Sequence, residues 1–112
     1  MKTDKDEASQ DMMRIFLGFE SCSPQNLEEQ WLNVQACALR LWESKWTRKE
    51  IYDLVFLIAT DKSLSEECSE AAGEYLDALL GRVAPSCIAR FSGEPSDPDE
   101  LVAYVRGMNW FK

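Results

Sequence analysis

The chain has 112 residues, enough for one hydrophobic core and too few for two independently packed ones. Hydrophobic types make up 46 % and four Trp supply large anchors, which excludes a disordered composition. Asp and Glu number 20 against 12 Lys and Arg, a net charge of −8, so phosphate backbones and anionic lipid repel the chain.

Punctuation divides the sequence into helical segments. The first is predicted from about Asp6 to Glu20, where Met12, Phe16 and Phe19 recur at helical spacing beside Met13, Ile15 and Leu17. Ser23 and Pro24 suit the cap and first position of a second helix, roughly Pro24 to Trp46. Leu27, Trp31, Val34, Ala38, Leu41 and Trp42 share one face of it, and Leu32, Leu39 and Trp46 widen the apolar arc to nearly half the circumference. A helix so apolar contacts neighbours on two sides and is expected at the centre.

Thr47-Arg48-Lys49-Glu50 fits a capping box, in which the Thr hydroxyl accepts from the Glu amide and the Glu carboxylate reaches back. The run Ile51 to Ala59 that follows could by itself be a buried strand. The cap before it, its helical neighbours and the lack of a partner strand favour a core helix, far too short to span a bilayer. Ser63-Leu64-Ser65-Glu66 offers a second capping box for a fourth helix to Leu80, with Gly81 placed to end it. A short helical turn is predicted over Pro85 to Phe91. Asp97-Pro98-Asp99-Glu100 opens a last helix through Arg106, and Gly107 leaves Trp110 and Phe111 in a tail that either docks or anchors a partner. The expected fold is therefore all-α, a single-domain bundle of five or six helices over residues 1–112. Ile51, Leu54, Val55 and Ile58 are placed at its centre, flanked by Phe16, Trp31 and Leu41.

The chemistry is limited by what is missing. With no His, the commonest general base and the commonest metal ligand are gone, and no Ser-His or Cys-His nucleophile can form. No enzymatic activity, catalytic residue or cofactor is expected. Cys22, Cys37, Cys68 and Cys87 are too widely spaced for a zinc knuckle and sit among small or apolar residues. They read as reduced structural thiols, two disulfides being the alternative. Asp61, Ser63 and Ser65 begin like a calcium loop, but Glu66 and Ala72 stand where it needs Gly and Glu, so no metal site is assigned. Met1 to Glu7 is charged and no apolar stretch follows it, so no signal peptide is expected. A cytoplasmic location follows from that reading.

Two clusters could recognise a macromolecule. Arg40, Lys45, Arg48 and Lys49 form the densest basic group, but acids lie among them and nucleic-acid binding is disfavoured. Trp31, Trp42 and Trp46 could stack on bases, yet they lie on an apolar arc and core packing explains them better. The fourth helix carries the sharper signal. At 100° per residue, Glu66, Glu67, Glu70, Glu74 and Asp77 fall within an arc of about 100°, opposite Cys68, Ala72, Tyr75, Leu76 and Leu79. Like charges three and four apart destabilise a helix by about 0.2–0.5 kcal/mol per pair. No Lys or Arg lies on the segment to relieve them. The ridge either meets a cationic partner or serves solubility. Residues 1–30 and 61–82 each carry a net −4, which would steer a basic protein toward two patches.

In size, acidic balance, the capped helix with its acidic ridge and the segment Asp97 to Gly107, the chain resembles the small helical immunity proteins that bacteria make against their own secreted or contact-delivered toxins. The resemblance covers the whole chain in architecture. It implies an inhibitor that binds a cognate toxin, often a cationic nuclease, and blocks its active site or nucleic-acid surface. A monomer forming a one-to-one complex is expected, and the net charge of −8 argues against nucleic-acid or membrane partners. An acidic chaperone for a secreted effector and a regulatory adaptor are the competing readings. Salt-sensitive one-to-one binding separates the inhibitor from a chaperone, which would expose an apolar groove and dimerise.

Overall fold

The computed structural model describes residues 4–82 and 88–107. The described residues form five α-helices and no strand: α1 Lys5–Leu17, α2 Leu27–Glu43, α3 Arg48–Ala59, α4 Glu66–Leu80 and α5 Pro98–Arg106. The all-α expectation holds. None of these helices is long and apolar enough to cross a membrane. The tail with Trp110 and Phe111, and residues 85–87 of the predicted Pro85–Phe91 turn, Cys87 among them, lie outside the described residues.

The first two helices are shorter than predicted because each loses one end to tighter backbone. Gly18–Ser21 and Pro24–Asn26 are 3₁₀ turns, so α1 stops at Leu17 and α2 starts at Leu27. At its other end α2 closes in a Schellman motif. The Trp46 amide donates to the Leu41 carbonyl at 3.0 Å and the Lys45 amide to that of Trp42 at 3.0 Å. Lys45 takes the left-handed conformation (φ 81°) that this motif usually gives to Gly. Trp46 thus lies beyond the helix, buried as the motif's apolar residue together with Leu41.

The Thr47 capping box forms as predicted, with Glu50 N–H on Thr47 Oγ1 and Thr47 N–H on Glu50 Oε1. The predicted cap of α4 is displaced by two residues. Asp61 captures both the Ser63 hydroxyl (2.6 Å) and the Ser63 amide (2.9 Å), and those bonds hold its carboxyl below the usual range. Ser63 is thereby occupied, and Ser65 caps instead, accepting from the Cys68 amide. Gly81 ends α4 in the left-handed region (φ 75°), as expected, and a Cβ there would meet Ile88 Cδ1 at 3.3 Å. Asp97 caps α5 through the Glu100 amide, with Pro98 in the first turn.

Ile51, Leu54, Val55 and Ile58 are buried at the centre with Phe16 and Leu41, and half-buried Trp31 packs against them. Around them, α4 rather than α2 takes the central place. Its buried face reaches α1, α3, α5 and the Gly18–Ser21 turn, with α3 its broadest neighbour. The second helix packs on α1, that turn and α3, but not closely on α4. Its predicted two-sided burial therefore fails at Leu27 and Leu32, which are 44 % and 64 % exposed. Likewise α3 buries one face only and leaves Phe56 and Leu57 about half exposed. A satellite cluster of Leu80, Ile88, Leu101 and Val105 seats α5 against the end of α4.

Residues 88–91 are not helical, against the predicted turn, because their backbone groups bond outward. Ala89 N–H donates to the Ala78 carbonyl at 3.1 Å, its own carbonyl accepts from Arg48, and the Arg90 carbonyl accepts from Gln35 Nε2 at 2.9 Å.

Candidate functional site

The five carboxylates of the ridge are placed by the burial of the opposite side of α4. Cys68, Ala71, Ala72, Tyr75, Leu76 and Leu79 face inward, which leaves Glu66, Glu67, Glu70, Glu74 and Asp77 exposed on the outer side. Arg14–Asp11, Lys49–Asp53 and Arg48–Glu94 are ion pairs of the described residues, and none reaches the ridge. Glu66 and Glu67 stand in the first turn, where the helix dipole favours an anion; Glu70, Glu74 and Asp77 have no such compensation.

The ridge borders a groove. Because α2 and α4 do not pack closely, a cavity of about 710 Å³ opens between them and is closed at one side by residues 88–90. Trp31, Leu32, Tyr75 and Ala78 supply its apolar surface, while Glu74 and Asp77 of the ridge join Glu28 on the rim. The sequence wheel found these acids but not the groove, since exposure of Leu32 depends on how far α4 stands from α2.

The wall at residues 88–90 is fixed by a clamp that the sequence did not disclose. Arg48, read with Arg40, Lys45 and Lys49 as surface charge, is buried, its side chain inaccessible to solvent. Its Nη2 donates to Glu94 Oε1 at 2.6 Å and to the Ala89 carbonyl at 2.7 Å, its Nη1 to the Leu79 carbonyl at 2.8 Å and its Nε to Glu94 Oε2 at 3.2 Å. The guanidinium also lies over the Phe91 ring, which stacks on Trp42 at 4.9 Å. Trp42 is only half-buried and donates its indole N–H to the Ser92 carbonyl at 2.9 Å. The basic group is thus dispersed, Lys49 being paired with Asp53 at 2.8 Å. No sequence spacing links residues 48 and 94. An Arg among other basic residues and beside a capping Thr reads as surface until the partner loop is seen to fold over it.

Cys22, Cys37 and Cys68 are free thiols; Cys37 and Cys68 are buried. Burial raises both thiols above their ordinary value, though Arg40 pulls Cys37 the other way, so neither is activated as a nucleophile. No group of three or more Cys, Asp or Glu among the described residues could hold a metal ion. Comparison with family models, with curated proteins and with solved structures found no match.

Proposed function

We propose that the chain is an immunity protein, a cytoplasmic inhibitor that neutralises a cognate secreted or contact-delivered toxin. Its target is a cationic nuclease domain, held in a one-to-one complex. The observation that carries this reading is the row of five carboxylates without ion pairs among the described residues, displayed along one helix. A nuclease holds phosphates with Lys and Arg, and carboxylates compete for the same groups through charge-assisted hydrogen bonds. Inhibition of this kind requires no catalytic group on the inhibitor, in keeping with a chain without His.

The test is co-expression with a basic toxin domain encoded beside this chain. Rescue of growth and co-purification of an equimolar complex are expected, and toxicity unchanged by the chain would overturn the reading. A second reading, an acidic chaperone for a secreted effector, is favoured by the apolar groove between α2 and α4. It predicts a stable homodimer, so a monomer by light scattering counts against it.

A further inference from the structure

We infer that the groove between α2 and α4 receives the apolar face of a basic amphipathic segment, so that the partner is held by an apolar anchor as well as by charge. This rests on the reading of the chain as a binder of a basic protein, and it names what that partner must present. The polar atoms inside the groove are already satisfied. Tyr75 Oη donates to Gln35 Oε1 at 2.7 Å, and Gln35 Nε2 donates to the Arg90 carbonyl at 2.9 Å. The interior therefore favours apolar side chains over a polar ligand, whose groups would lose hydrogen bonds to water without replacement.

Leu32 stands at the lip, 64 % exposed, and Trp31 behind it is half-buried. Both can bury more surface only by being covered. The rim selects among apolar occupants. Glu28, Glu74 and Asp77 flank the opening and Arg90 is the cation among its lining residues, so an occupant with Lys or Arg beside its apolar stripe gains at both levels. A second copy of this chain, at −8, would bring acid against acid.

The probe is a synthetic 18-residue Leu/Lys peptide with Leu at helical spacing on one face, compared with a scrambled peptide of the same composition. Titrated into the ¹⁵N-labelled protein, it should move the Trp31 indole resonance, assigned through Trp31→Phe, together with the Gln35 and Ala78 amides. The scrambled peptide should bind at least about tenfold more weakly, and Leu32→Ala should weaken the ordered peptide by about tenfold, as expected for one apolar side chain left unburied. Leu32 is exposed enough for this variant to keep its fold, which its amide spectrum checks. Shifts confined to α3 or α5, equal binding of the scrambled peptide, or no loss in Leu32→Ala would each overturn the inference. The two proposals fail separately. If Leu32→Ala rescues from the toxin as wild type does while Glu67→Lys/Glu70→Lys, at positions that do not line the groove, fails to rescue, the groove is idle and the charged ridge alone acts. If the peptide docks at Trp31 but no basic toxin domain is neutralised, the groove stands and the immunity reading falls.

Discussion

At the scale of single residues, Arg48 is where electrostatics and backbone satisfaction meet. Its guanidinium answers a buried carboxylate and two main-chain carbonyls, so its removal would strand all three in a low-dielectric site. Arg48→Met is expected to destabilise by about 3–5 kcal/mol in urea unfolding, the range for breaking a buried pair from one side. A variant within about 1 kcal/mol of wild type would show that the clamp is open in solution. Three buried acids set the response to alkali. Burial raises the Tyr75 phenol above its ordinary value of 10.0, and does the same for the Cys37 and Cys68 thiols above theirs of 9.0. The folded chain therefore holds these protons more tightly than the unfolded chain does. Their contribution is fully present below the unfolded-state values of 9.0 for the thiols and 10.0 for the phenol, begins to fall as pH passes each, and is gone only above the raised folded-state values. Thermal melts across that window should show a falling Tm, and Tyr75→Phe should remove the upper part of the fall while leaving the thiol part.

At the scale of elements, caps explain both the agreements and the misses. The Thr47 box and the start of α5 at Asp97-Pro98 were legible because the partners of each cap lie within three residues of each other. Ser63 fits the cap pattern in sequence, but Asp61 competes for it, a contest between two local motifs that spacing alone does not decide. Trp46 was placed on α2 because nothing in the sequence marks a left-handed Lys as a helix stop. Lys45→Gly should relieve that strain and raise stability by about 0.5–1 kcal/mol in chemical denaturation, after the extra chain entropy of Gly is counted. A loss of stability would mean that the lysine side chain makes a compensating contact. The interior of α3 was legible from its Thr47 cap and its helical neighbours rather than from its own apolar run, and Leu54, only 2 % exposed, supplies its test. Leu54→Ala should cost about 2–5 kcal/mol by calorimetry, the spread reflecting how far its neighbours close the cavity.

At the scale of the whole molecule, charge and shape act on one flank. The acids of α4 were legible because a helix of known period has only one solvent face, and the apolar arc fixes which face that is. The groove beside them was not, because the separation of α2 from α4 is a tertiary fact that no local pattern in either helix encodes. Two negative patches should accelerate encounter with a basic protein more than they tighten the final complex. Glu70→Lys/Glu74→Lys tests this without disturbing the core, since both side chains are exposed and each new Lys lies three or four residues from a remaining acid. Helix stability should hold or rise by about 0.2–0.5 kcal/mol per relieved pair. The most direct measurement is association kinetics of wild type and this double variant with the basic partner domain proposed above at low and high salt. The account predicts slower association of the variant at low salt, with a difference that shrinks as salt screens the wild-type attraction. Equal association rates at low salt would contradict it and leave the ridge a device for solubility.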